Sequence, residues 1–344
     1  MVYALDERLV VGVASSALFD LTESDAYFHE HGESRYRVYQ DERLDNVLDP
    51  GVAFPFIHRL LTLNDLTPGD PLIEVIVLSR NDPMTGLRVM RSVEAHGLSI
   101  SRAVFTQGQA PFAYMDAFSM SLFLSANRHD VDAAIAAGLP AGRVLPSSAT
   151  YDSADLSLRV AFDFDGVLAS DESERFFQAS DALEPYLEHE ACNRQNPLDP
   201  GLLKPFLEQL NRIQTIEEAR KSEDSSYVPR LRISLVTARN APAHERAVHS
   251  LKAWGVNVND AFFLGGIEKA KVLSVLRPHI FFDDQRAHLD SAIEHIAGVH
   301  IPYGVANAGQ LIDATRPDHA FVPCEGQRDA GIAVTKTADP QNKE

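Results

Sequence analysis

Cysteine is nearly absent. Cys192 and Cys324 are the only two in 344 residues, too far apart to suggest a metal pair and too few for a disulfide framework. Thirteen histidines show no HxxxH spacing, so zinc is not expected. Basic residues are also scarce, 31 Lys and Arg against 49 Asp and Glu, for a net charge of −18. That balance excludes a general nucleic-acid or anionic-membrane binder, and neither is expected as a partner. Any anion site must therefore reverse the local field with a metal ion and a few well-placed cations. No apolar stretch approaches the ~18 residues that span a bilayer. The opening MVYALDERLVVGVASSALFD puts acids before a short apolar run and lacks a basic leader, so it reads as a first strand. A cytoplasmic protein is the expectation, and homo-oligomerisation is compatible with the sequence.

What is present is ordinary globular composition, 45% hydrophobic and 23% charged, with length for two cores. Strand-like runs alternate with helical patterns, which predicts an α/β fold with largely parallel sheets. The runs are Leu9–Ala14, Ile73–Leu78, Ala103–Thr106 and Leu122–Leu124, then Leu158–Phe162, Ile233–Val236, Ala261–Leu264 and Ile280–Phe282. The two sets share one rhythm, and the residues between them match. VLSRNDP sits over VTARNAP, AVFTQG over AFFLGG, LFLSAN over IFFDDQ, GVAFPF over GLLKPF and LFDLTES over VLASDES, with offsets between 149 and 159. Five ordered matches point to an internal duplication of a Rossmann-like unit. The expected lobes are 1–150 and 151–325, joined by a Ser/Asp/Ala-rich linker at Pro146–Leu156, with a polar tail at 326–344. Glu217–Pro229 reads as an exposed loop.

The second half carries the chemistry. Asp163 and Asp165 follow an apolar strand, where parallel α/β sheets deliver side chains into a crevice. Two acids one residue apart can divide nucleophilic attack from proton transfer. Thr237 ends ISLVT, where a hydroxyl can hold a phosphate oxygen. Lys269 stands where a glycine turn enters a helix and can neutralise developing charge. Asp283 and Asp284 repel each other unless a cation lies nearby; with Asp163 they suit Mg²⁺. At the repeat offsets these positions become Ala14, Ser16, Leu78, Pro111, Ser125 and Ala126, which makes the first half read as an inert copy.

Acid pair, hydroxyl, lysine and acid pair in that order resemble the HAD phosphohydrolase superfamily. The resemblance implies Asp163 as the phosphorylated residue, Asp165 as acid then base, Thr237 and Lys269 as phosphate holders, and Asp163, Asp165 (through its carbonyl), Asp283 and Asp284 around Mg²⁺. The longer strings VASSALFDLTESDAYF, GVAFPFIHRLLTLND, VLSRNDPMTGLRV and FDFDGVLASDESERFF, with LGGIEK and FFDDQ, resemble the cytosolic 5′-nucleotidase class I family over residues 8–305. Membership implies Mg²⁺-dependent hydrolysis of nucleoside 5′-monophosphates. The family pattern DGDAV is DFDGV here, which bears on pocket shape rather than on the two acids. A small helical cap is expected over about 171–230. Within it Phe176, Phe177 and Tyr186 either stack on a base or fill a core. Arg239 and Asn240 are expected at the substrate, and Arg80, Asn81 and Arg88 of the first half either face it or hold the lobes together. Alternatives are a phosphatase of sugar phosphates or other small metabolites, and a nucleotide-binding regulator with vestigial activity.

Overall fold

The inner strands of this α/β protein are largely buried on both faces, so they read as mostly apolar runs rather than alternating ones. The computed structural model describes residues 4–309 apart from 151, 153 and 181; the expected tail 326–344 and Cys324 lie outside the described residues. Ten strands form one sheet: β1 (Leu9–Val13), β2 (Ile73–Ser79), β3 (Arg102–Phe105), β4 (Leu122–Ser125), β5 (Ala141–Val144), β6 (Leu158–Phe162), β7 (Leu231–Thr237), β8 (Asp260–Phe263), β9 (Ile280–Asp283) and β10 (Gly298–His300). Their spatial order is β3-β2-β1-β4-β5-β10-β9-β6-β7-β8. Read outward from the middle, each half runs fifth, fourth, first, second, third.

Pairing is parallel throughout except at the centre, where β10 runs antiparallel to β5. The strands of the two halves therefore point in opposite directions, and their carboxyl ends lie on opposite edges of the sheet. The join depends on a glycine: a Cβ on Gly142 would stand 2.4 Å from Val299 Cγ1. Sequence reading found the other eight strands but neither β5 nor β10, the pair that fuses the halves into one sheet.

Side-chain bonds recur as well. Ser92 Oγ accepts from Leu48 N at 3.0 Å, and Ser250 Oγ from Leu198 N at 2.9 Å. Arg88 Nε donates to Asn46 O and Arg246 Nε to Asn196 O, both at 2.9 Å. Strand registers also correct one alignment. Pairing of β1 with β2 and of β6 with β7 places Ser79 opposite Thr237, not Leu78. The hydroxyl thus persists in the first half, and Arg239 corresponds to Asn81 rather than Arg80. The identity of the two RNxP strings is therefore one residue out of structural register.

Two further expectations change. The helical cap is not peculiar to the second half. Helices Glu172–Ser180 and Leu183–Cys192 have a counterpart in Thr22–Glu42, which breaks at Gly32 (φ 74°) and folds back so that Tyr27 stacks on Tyr39 at 4.2 Å. Nor is Glu217–Glu223 a loop: it ends the helix Lys204–Glu223. Glu217 is buried there because its carboxylate accepts from Arg230 N, Leu231 N and Tyr227 Oη.

Candidate active site

Three adjacent strands, β9, β6 and β7, bring the acids and the hydroxyl to one edge. Asp163 directly follows β6, Thr237 ends β7, and Asp283 ends β9 with Asp284 next. Lys269 opens the helix Lys269–Leu276, which returns the chain from β8 to β9. Its Nζ lies 2.8 Å from Asp163 Oδ2 and 2.7 Å from Asp283 Oδ2, bridging the two carboxylates. Gly166 turns the chain after Asp165 with φ +70°, and a Cβ there would stand 2.6 Å from Asp284 Oδ2. Glycine is required both by the left-handed backbone and by the carboxylate packed on it.

Burial sets the electrostatics. It pushes Asp163 up to about 6, against the pull of the Lys269 ammonium. Asp284 rises further, to about 10, since burial acts together with the charges of Asp163 and Asp283. For Asp283 burial is outweighed by Lys269 and His288, and its carboxyl is held below the usual range. Lys269 is depressed by burial but raised overall by the two carboxylates it bridges.

The oxygens divide into committed and bare. Asp283 Oδ1 accepts from Gln285 N at 2.8 Å, Oδ2 accepts from Lys269, and His288 Nδ1 lies 3.2 Å from both. Asp163 Oδ1 and Asp284 Oδ1 are buried with no partner. Asp163, Asp283 and His288 do place ligand atoms within 4.8 Å of one another. Because the oxygens of Asp283 are already engaged, the bare oxygens of Asp163 and Asp284 are the better fit to a hard cation. Asp284 is fixed for this through its backbone: His300 Nε2 and Asn307 Nδ2 each lie 2.9 Å from its carbonyl oxygen.

The family model described as 5′-nucleotidase matches residues 1–308. The chain belongs to the 5′-nucleotidase family. It is 33% identical over 290 residues, 83% of its length, to human cytosolic 5′-nucleotidase 1B. It spans 47% of the length of that relative. No solved structure matches it.

Around this cluster the remaining expected residues of the family member fall in different places. Arg239 is buried behind Asp165, with Nε and Nη2 donating to the two oxygens of that carboxylate. Asn240 is half-buried on the same turn, against Gly265. Phe176 stacks on His189 at 3.9 Å, and the more exposed Phe177 meets Tyr186 edge-on. Arg80 and Asn81 follow β2, at the opposite edge of the sheet, where Arg80 pairs with Asp130 at 2.7 Å. The structure thus does not bring Arg80 and Asn81 to Asp163. Ser173, Glu190, Arg246 and His288 join the site's network without a sequence motif to announce them. Glu190 had one available signal: at the repeat offset of 150 it replaces Gln40, a change of charge between otherwise matched segments.

Proposed function

We propose that this chain hydrolyses nucleoside 5′-monophosphates to nucleoside and phosphate, with Mg²⁺, through an aspartyl-phosphate on Asp163. The observation that carries the reading is the pair of bare, buried oxygens on Asp163 and Asp284 beside a lysine that bridges Asp163 to Asp283, in a chain of the 5′-nucleotidase family. Asp163 and Asp284, with the Asp165 carbonyl, would hold Mg²⁺, which supplies charge neutralisation at the phosphoryl oxygens.

Asp163 attacks phosphorus, and the bond from phosphorus to the ribose 5′-oxygen breaks. Asp165 gives its proton to that oxygen as the nucleoside leaves. The same carboxylate then takes a proton from water as the water attacks the phosphoryl group, releasing phosphate and restoring Asp163. Lys269 performs two tasks in turn. It keeps Asp163 ionised against burial, and it offsets phosphoryl charge, a contribution of about 3 kcal/mol for one such donor. Thr237, at the neighbouring strand end, offers a hydroxyl to a phosphoryl oxygen. We further propose that residues 1–150 are an inert, duplicated counterpart of the catalytic lobe, a reading supported by the shared strand order and the recurring side-chain bonds. A cytosolic setting agrees with the name of the human relative. Among the described residues no helix is long and apolar enough to cross a membrane.

The test is phosphate release from a panel of nucleoside monophosphates and sugar phosphates, with Mg²⁺ or with EDTA. Metal-dependent release from nucleotides is expected. Release from sugar phosphates alone would overturn the substrate, and no release from folded protein would overturn the enzyme.

A further inference from the structure

Behind Asp165 lies a buried ion network that the scheme above does not use. The Arg239 side chain is 1% exposed, and each of its five N–H groups meets an acceptor. Nε donates to Asp165 Oδ2 at 2.8 Å, and Nη2 donates to Asp165 Oδ1 at 2.6 Å and Ser173 Oγ at 2.7 Å. Nη1 donates to Glu190 Oε2 at 2.5 Å and to Ala243 O at 3.1 Å. The Phe164 ring lies 5.1 Å from the guanidinium carbon, closing one face. Glu190, fully buried, also accepts from Ser173 Oγ at 2.9 Å and from Arg246 Nη1 at 3.0 Å. Ser173 and Glu190 belong to the two helices Glu172–Ser180 and Leu183–Cys192.

The chain contains its own control. In the first half the counterpart of Asp165 is a serine (Ser15 or Ser16, since the second half has one more residue in this turn), that of Arg239 is Asn81, and that of Glu190 is Gln40. All three charges disappear together. The neighbouring scaffold does not change: Arg88, counterpart of Arg246, still bonds Asn46 O and reaches Gln40 Oε1 at 3.2 Å. A network needed only for folding has no reason to lose its charges where the acid pair is missing.

We infer that Arg239 is a positioning residue for proton transfer by Asp165, and that Glu190 and Ser173 hold Arg239 so that the helical hairpin 172–192 sets the orientation of that carboxylate. The inference rests on the reading of Asp165 as acid and base. A bidentate guanidinium fixes both the plane and the direction of a carboxylate, which a monodentate cation does not. Each Asp165 oxygen keeps a second lone pair, so a proton can be carried on the side turned away from Arg239.

The test compares Arg239→Lys, Glu190→Gln and the milder Ser173→Ala with Asp165→Asn and the unaltered protein. The readouts are kcat/KM for the alkyl phosphate ester that the unaltered protein turns over best, and for an aryl phosphate whose phenolate leaves without a proton. Loss of the well-placed acid predicts a fall of roughly 10²-fold in kcat/KM on the alkyl ester and no more than about threefold in kcat/KM on the aryl ester, because the later attack of water is common to both esters and enters kcat but not kcat/KM. Asp165→Asn should show the same contrast, and Ser173→Ala a weaker version of it. Equal losses on both esters in folded variants would overturn the positioning role. Asp163→Asn, assayed alongside, separates the two claims: if it retains full activity, the covalent scheme fails however Arg239 behaves.

Discussion

Gly166 shows how little room the site leaves. Its left-handed backbone and the Asp284 carboxylate packed against its Cα each exclude a side chain. Gly166→Ala should push Asp284 aside and weaken Mg²⁺ binding by roughly tenfold or more, at a stability cost of about 1–2 kcal/mol. Calorimetric titration with Mg²⁺, set beside a denaturant melt, would measure both; unchanged metal affinity would refute the Asp284 assignment. At this scale much of the site was legible in the sequence. Asp163, Asp165, Thr237, Asp283 and Asp284 stand at or just beyond strand ends and Lys269 opens a helix, so their order and spacing point to one site. What was not legible is how the carboxylates share their work. Asp283 is committed to Lys269 and the Gln285 amide while Asp284 keeps a bare oxygen, and only the three-dimensional arrangement distinguishes them.

Elements were legible where burial is continuous and illegible where it is brief. β1, β2, β6 and β7 are strands of five to seven residues dominated by buried apolar side chains and announce themselves. β5 is AGRV and β10 is GVH, too short and mixed to register, and they form only because each covers the edge of the other half. The helix ending at Glu223 misled for the opposite reason. Its EEARKSE run is polar, but Glu217 turns inward to satisfy the amides that lead into β7. Glu217→Ala would orphan two backbone N–H groups and the Tyr227 hydroxyl, and should destabilise the fold by about 2–4 kcal/mol without altering the acid pair. A melt showing less than ~0.5 kcal/mol would remove that role.

For the whole molecule, opposite strand directions in the two halves put their carboxyl ends on opposite edges of the sheet, so the acids that follow β6 and β9 do not share a cleft with the strand ends of the first half. Asp163 and Asp284 carry the electrostatic cost. With carboxyls raised to about 6 and about 10, the folded metal-free protein binds more protons than the unfolded chain, whose carboxylates titrate near 4. Stability from these groups is therefore full below about pH 4 and declines as pH rises toward 10. Mg²⁺ held at these carboxylates, as proposed, would displace those protons, so the gain in Tm on adding Mg²⁺ should be larger at pH 8 than at pH 6 and be accompanied by proton release. A gain independent of pH would contradict it. The central claim, covalent catalysis by Asp163, is tested most directly by acid-quenching the first turnover of a nucleoside 5′-monophosphate labelled in its phosphate. A base-labile label is expected on the peptide holding Asp163, lost in Asp163→Asn together with roughly 10³-fold or more of the rate. Phosphate release at full rate with no label on the protein, and with activity retained in Asp163→Asn, would contradict it.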